Sequence, residues 1–273
     1  IFHHTYKPIL LDTRMISSPG VRRPDQTPAD RAAEVLTELR ALLDEVGDRV
    51  CAIVVEPLVQ AAAGMLTHDV SFLRGVRALS TEYGAYLLTD EVATGIGRTG
   101  TMWAVEQADI APDLLTCGKG LTGGVLPLSA VLTTEEIYES FLGDASRTFF
   151  HGHSYTANPL CAAAALANLE LMDERGTVEH AAWIGRELGD LLKPFEADER
   201  VAEVRRIGTM TGIEVVPHGE RTGFRICVAA RELGVITRPL GDVVILMPPL
   251  GITQPDLEQL VAAVRHGMDV VYA

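Results

Sequence analysis

Lysine is the residue this chain has least use for: Lys7, Lys119 and Lys193 stand against twenty arginines in 273 residues. Basic charge as a whole is short, with 23 Lys and Arg against 37 Asp and Glu and a formal net charge of −14. A surface of that sign repels phosphate backbones and anionic headgroups, which argues against a nucleic-acid or membrane partner. Long apolar runs are missing too. No stretch approaches the roughly 20 residues that cross a bilayer, and residues 1–10 lack the layout of a secretory signal. Cysteine is sparse: Cys51, Cys117, Cys161 and Cys227 form no C-x-x-C pair. They read as buried free thiols of a reducing, cytoplasmic compartment rather than as a disulfide frame. Internal repeats, low-complexity tracts and long linkers are absent. The chain opens without Met, as a fragment of a longer product would.

What remains is 47% apolar sequence, enough for one large domain with an appendage. Thr27-Pro28 predicts a helix start, with Thr27 as cap and Pro28 in the first turn. Val35, Leu36, Leu39, Leu42, Leu43 and Val46 share its inner face, and Gly47 ends it. The run from Cys51 to Val55 predicts a buried strand ending at Glu56-Pro57. A second helix is expected over about residues 69–83, then strands ending at Thr89 and Thr116, then a strand in "LPLSAVLTT". Strands spaced by helices imply an α/β fold, a mostly parallel central sheet covered by helices on both faces. Ligands of such sheets sit beyond the strands' carboxyl ends, where Glu56, Asp90 and Lys119 all fall.

Past Asn158-Pro159 an alanine-rich helix leads away. The remainder is α+β: a helix over 179–195, a strand-like "VRRIGTMTGIEVV", a helix over about 220–233, short strands in "GVITRPL" and "VVILMPP", and a last helix after Pro255. The expected organisation is a large domain over residues 1–160 and a smaller C-terminal domain, with its linking helix, over 161–273.

Asp90 and Glu91 close one apolar run, and Lys119, between Gly118 and Gly120, closes the next. Two short strands would bring a carboxylate and an amine to one sheet edge. Pyridoxal phosphate chemistry needs that pair. The lysine condenses with the cofactor aldehyde, and the acid keeps the pyridine nitrogen protonated so that the ring serves as an electron sink. A surface lysine in a glycine turn is the ordinary alternative. It is the weaker one in a chain that has nearly abandoned lysine, and arginine could not replace a nucleophilic amine.

Other motifs compete less well. Gly95-x-Gly97-x-x-Gly100 and Gly118-x-Gly120-x-x-Gly123 both have dinucleotide-binding spacing. In the first, two carboxylates separate strand from glycines and would repel a pyrophosphate. In the second, the following "GGVLPLSAVL" does not open a helix. A phosphate-binding P-loop fails because Gly120 follows Lys119 and Asp113 occupies the first glycine position. His151-x-His153 lacks a third ligand at suitable spacing, so a turn pair bonding backbone is favoured over a metal site.

With these residues in view, "LLTDEVATGIGRTG…PDLLTCGKGLTGG" resembles the signature of class III, fold type I pyridoxal phosphate aminotransferases. "VVEPLVQAAAGM", "FFHGHSYTANPLCAAAAL" and "TRPLGDVVILMPPLGIT" resemble further family segments in the family's order, over nearly the whole chain. The resemblance implies that Lys119 is the catalytic lysine, that Asp90 pairs with the pyridine nitrogen and that Val92 packs on the ring. It implies that Gln60 reaches the phenolic oxygen and that Glu56 belongs to the site as an ion-pairing or catalytic acid. Ser154, with Thr156 as competitor, would bind the phosphate of the neighbouring subunit in a homodimer, and Arg238 would hold a substrate carboxylate. Within the class, "HGHSYTANPL" and "RPLGDVVILMPP" most resemble the biotin-synthesis members, which implies S-adenosylmethionine as amino donor. Another class III member using an ω-amino acid or diamine, or a non-catalytic remnant, is the alternative.

The chain departs from the family at Ala61 and Ala63, where glycine is usual, and at Ser154, where threonine is commoner. The family's upstream phosphate loop and its ring-stacking aromatic have no counterpart in these residues. The chain by itself is therefore expected to hold cofactor weakly.

Overall fold

A computed structural model describes residues 3–11 and 13–273. The first long helix, α1 (Pro28–Val46), starts as its sequence dictates. Thr27 Oγ1 accepts from Asp30 N–H, and the Asp30 carboxylate answers the Thr27 N–H, closing a capping box. Helix α2 (Val70–Glu82) is capped by Asp69, whose carboxylate accepts from Ser71 N–H. Between and after these helices lie β1 (Ala52–Val55), β2 (Tyr86–Asp90), β3 (Leu114–Cys117) and β4 (Ala130–Thr133), in the order β1-β2-β3-β4. The first two pairings are parallel, and β4 is antiparallel to β3. The mostly parallel sheet expected from the sequence is present.

Register separates the two faces of this sheet. Ile53, Val55, Leu87, Thr89, Leu115 and Cys117 share one face. There Leu87, Ile53 and Val55 pack on α1 and α2 through Val35, Leu39, Phe72 and Val76. Leu115 and Cys117 pack on Ala165 of α3 (Pro159–Glu174). The opposite face carries Val54, Tyr86, Leu88, Asp90, Thr116 and Val131. It was expected to be covered as well, yet Val54, Tyr86 and Val131 are 66%, 42% and 59% exposed in this chain.

The rest builds a second sheet: β5 (Val201–Ile207), β6 (Met210–Val215), β7 (Pro239–Leu240) and β8 (Val243–Leu246), ordered β5-β6-β8-β7 and antiparallel throughout. The single strand-like run of the sequence is thus a hairpin. Helices α4 (Thr177–Glu196), α5 (Thr222–Ala229) and α6 (Gln254–Tyr272) pack on it around Leu188, Phe195, Ile213, Ile226, Leu246 and Leu257. The helix expected to reach Leu233 ends at Ala229 and tightens into a 3-10 turn, Ala230–Leu233.

The sheets are fastened together. Met65, Leu58 and Leu73 share a core with Met210, Val243 and Ile245. Thr209 donates from its N–H to the Arg98 carbonyl at 2.9 Å, and Arg98 Nη1 donates to the Pro248 carbonyl. The β5–β6 turn passes so close that a Cβ on Gly208 (φ +55°) would lie 2.3 Å from the Thr99 carbonyl carbon. No larger residue fits there.

Of the four cysteines, Cys117, Cys161 and Cys227 are buried free thiols, as expected, but Cys51 is exposed. It precedes β1 at the sheet edge, outside the packed run it was grouped with. Among the described residues no helix is long and apolar enough to cross a membrane.

Candidate active site

Strand β2 ends at Asp90 and β3 ends two residues before Lys119, on adjacent parallel strands whose register pairs Asp90 with Thr116. The Asp90 carboxylate accepts from Val92 N–H at 3.0 Å and from Thr116 Oγ1 at 3.4 Å. The next acid does different work. Glu91 is fully buried and accepts from Ala104 N–H, Val105 N–H and Thr94 Oγ1 at 2.7–3.0 Å. Burial pushes its carboxyl up while those three donors pull it down. Glu91 therefore ties down the 92–103 loop, and Asp90 is the carboxylate left on the half-covered face.

Lys119 has a φ of +43°, a left-handed backbone that a side chain adopts at a cost of about 1–2 kcal/mol. Its surroundings impose it. Gly118 is fully extended before it, and Asn168 of α3 donates from Nδ2 to the carbonyls of Gly120 and Leu121 at 3.0 and 3.1 Å. Strain held by packing at one lysine fits a functional position. The sequence reading missed Asn168, whose signal, a polar residue in an alanine-rich helix, is weak without the fold.

Lys119 lines a cleft of about 540 Å³ together with Ala61, Ala62, Met65 and Ala93 and, from the second sheet and its approach, Thr237, Arg238, Ile245 and Met247. Lys119 and Arg238, 119 residues apart in sequence, thus face one space between the sheets. Arg238 is exposed and has no ion-pair partner among the described residues. Asp242, the nearest acid in sequence, accepts instead from Gly223 N–H at 3.0 Å. Of the two residues after Glu91, Ala93 lines the cleft. Val92 lies beside Gly118, with Cγ1 3.7 Å from where a Cβ on that glycine would stand.

Glu56, just past β1, accepts from Ala61 N–H at 3.1 Å. Burial pushes its carboxyl up, the Asp90 charge adds to this and Lys119 opposes it, so all three groups share one electrostatic neighbourhood. Gln60 follows. Its carbonyl end accepts a close hydrogen bond from Ser18 Oγ, which leaves its amide N–H as a donor without a partner among the described residues. Ser18 was not anticipated, because 42 residues separate the pair. Ala61 and Ala63 are accommodated in a 3-10 turn, Ala61–Ala63, and the left-handed conformations fall on Gly64 and Met65.

Ser154 lies apart from this group, exposed in the 154–157 turn. Thr156 is committed locally: its Oγ1 accepts from His153 N–H at 3.0 Å. His153 Nδ1 accepts from Tyr155 N–H, the backbone-bonded turn suggested by the His-x-His spacing. Tyr138, Phe141, Phe149, Phe150, Tyr155 and Leu160, in the flanking stretch of chain, are all exposed.

Residues 4–268 match the family model described as aminotransferase class-III. A curated relative from Nitratidesulfovibrio vulgaris, named adenosylmethionine-8-amino-7-oxononanoate aminotransferase, is 46% identical over 99% of this chain and 52% of its own length. One of the same name from Aquifex aeolicus is 41% identical over 97% of this chain and 61% of its own. Among solved structures, the enzyme of that name from Methanocaldococcus jannaschii superposes with a TM-score of 0.89 at 34% identity, covering 100% of this chain and 63% of that one. An (S)-enantioselective omega-transaminase from Thermomicrobium roseum gives 0.88 at 32%, covering 94% and 59%. The chain spans between about half and just under two thirds of the length of the relatives it matches.

Proposed function

Since the chain belongs to the class III aminotransferases, we propose that it carries the lysine-bearing half of a pyridoxal phosphate-dependent active site. The reaction proposed is amino transfer from S-adenosylmethionine to 8-amino-7-oxononanoate, a step of biotin synthesis. The observation that carries this reading is Lys119, strained and lining a cleft, two residues past the strand next to the one that ends in Asp90. The donor set fits the ring of the cofactor: an amine, a carboxylate on the uncovered sheet face and an amide N–H on Gln60.

When bound, pyridoxal phosphate supplies an aldehyde for the amine and an electron-withdrawing ring. Lys119 provides the amine and then, as a free base, carries the proton away from the donor's Cα. Asp90, fixed by Val92 N–H and Thr116 Oγ1, holds a proton on the ring nitrogen. Gln60 donates toward the phenolic oxygen. Glu56 holds the Gln60–Ala61 turn, and Val92 and Ala93 supply apolar contact. Arg238 takes the carboxylate of the acceptor through a two-pronged fork.

Ser154 lies on an exposed turn amid exposed aromatic and aliphatic side chains. A surface of that kind supports a homodimer in which this turn reaches the partner's phosphate site. A cytoplasmic location agrees with three buried free thiols.

An amino-donor panel on the longest natural product containing these residues tests the reading. S-adenosylmethionine should support turnover where ordinary amino acids do not. Turnover with an ω-amino acid or diamine alone would move the chain to another branch of the family. Arg238→Ala should raise the Michaelis constant for the keto acceptor by the equivalent of about 2–5 kcal/mol, with the fold intact. Arg238→Lys should recover part of that. An unchanged constant would return Arg238 to the surface.

A further inference from the structure

Part of the cleft's wall is the turn that carries Ala61, Ala62 and Met65. Its conformation is unfavourable by itself, because Gly64 (φ +99°) and Met65 (φ +55°) are consecutive left-handed residues. The two-residue ladder that closes it pairs Val59 with Thr67 and Gln60 with Leu66. That is too little to hold such a turn alone. The missing support comes from the other sheet. Arg205, in the middle of β5 and only 4% exposed, sends its guanidinium across. Nε and Nη2 both donate to the Gly64 carbonyl, at 3.2 and 3.0 Å. Nη1 is held by the carboxylates of Glu203 and Glu214, and Arg22 closes on Glu203, so the two cations and two anions balance. On β6, Gly212 lets Met65 and the Gly64 carbonyl approach; a Cβ there would meet them at 3.0 and 3.2 Å.

We infer that Arg205 is a positioning residue, which fixes the Gln60–Met65 wall of the cleft by gripping the Gly64 carbonyl from the second sheet. The inference rests on the reading of this cleft as the cofactor site, because that reading gives the wall its function. Glu203 and Glu214 aim the guanidinium, and the Gly64 carbonyl receives it. A buried arginine without these partners would be strongly unfavourable, so the grip forms only when the two sheets are docked. The geometry of Gln60 and the closure of the second sheet are thereby linked.

Two variants separate this role from plain charge pairing. Arg205→Lys keeps the charge and loses the fork; Glu203→Gln weakens the pairing and keeps the fork. Amide hydrogen exchange should be followed across the chain. In Arg205→Lys, exchange at residues 61–66 should quicken about tenfold while 86–90 and 114–117 stay as in the parent, the signature of a local opening. In Glu203→Gln, residues 61–66 should stay within about twofold of the parent. Equal effects of the two variants, or acceleration spread over the whole chain, would overturn the inference. Should Arg205→Lys not fold, the parent alone decides. Under increasing denaturant, residues 64–66 should open in the same cooperative step as residues 203–207, and separate opening would sink the proposal.

A titration of the longest natural product containing these residues with pyridoxal 5′-phosphate, read by visible absorbance, keeps the two readings apart. The exchange pattern without any cofactor binding removes the cofactor reading and leaves the grip. Binding that Arg205→Lys leaves unweakened, with no local exchange change, removes the grip and leaves the cofactor reading.

Discussion

The two faces of the first sheet are made by the same four strands and serve opposite ends. On one, Leu87, Thr89, Leu115 and Cys117 are buried against helices. On the other, one residue along in each strand, Val54, Tyr86 and Val131 are exposed, and Asp90 and Thr116 form the hydrogen-bonded pair nearest the lysine turn. A period of two residues is all that separates a face built for cohesion from a face that keeps charge available. Asp90 and Glu91 show this within one dipeptide. Glu91 turns to the buried side and is used up by three donors, whereas Asp90 keeps a carboxylate at the open side.

If chemistry and cohesion are divided in this way, substitutions on each side should move different observables. The largest effect belongs to Lys119→Ala in the longest natural product. Transamination should fall by at least about 10²–10⁴-fold, with thermal stability unchanged or slightly higher. Lys119→Gly should be stabilised by about 1 kcal/mol, because the left-handed backbone at φ +43° is then free of strain. A loss of stability in both variants would mean that the lysine is a structural residue.

Leu87→Ala strikes the other face. Leu87 is 0% exposed, and its truncation should cost about 2–5 kcal/mol of folding free energy by denaturant titration. In the longest natural product, cofactor absorbance should be retained in whatever fraction stays folded. Selective loss of cofactor binding would break the division between the faces.

A smaller effect is expected from Glu56, which stands past the end of β1. Burial raises its carboxyl above the ordinary 4.5. The folded chain therefore keeps a proton that the unfolded chain has released, and stability falls as pH rises from 4.5 through the folded value. Glu91 contributes in the same sense. Glu56→Gln should flatten the slope without abolishing it; an unchanged slope would show Glu56 to be ordinarily solvated. Least of all, Val54→Thr on the open face should change stability by no more than about 0.5 kcal/mol in this chain, against the larger loss at Leu87.

The legible part of the molecule was the part with local causes. Thr27, Pro28 and Gly47 bracket α1 because capping and proline geometry act within four residues. Asp90 and Lys119 could be picked out because each closes a short apolar run, and the rarity of lysine marked one of them. The hairpin Val201–Ile207/Met210–Val215 read as one strand, since Gly208 alone signals the turn, and the reason for that glycine lies at Thr99. Cover over both sheet faces was inferred from strands spaced by helices, a pattern that does not say whether the covering residues are in the same chain.

The sequence by itself determined most of the succession of helices and strands and the family, and singled out Lys119 as the candidate lysine, because each rests on propensity, period or motif over a few residues. The tertiary structure alone decided that three donors use up Glu91, that Ser18 occupies one end of Gln60, that Asn168 holds the lysine turn and that Arg205 reaches Gly64. The last three contacts join residues 42, 48 and 141 positions apart in the bonded pairs concerned. A side chain's partner at such separation is set by how the sheets dock and by which polar groups burial leaves to be satisfied, and nothing in the neighbouring sequence encodes it.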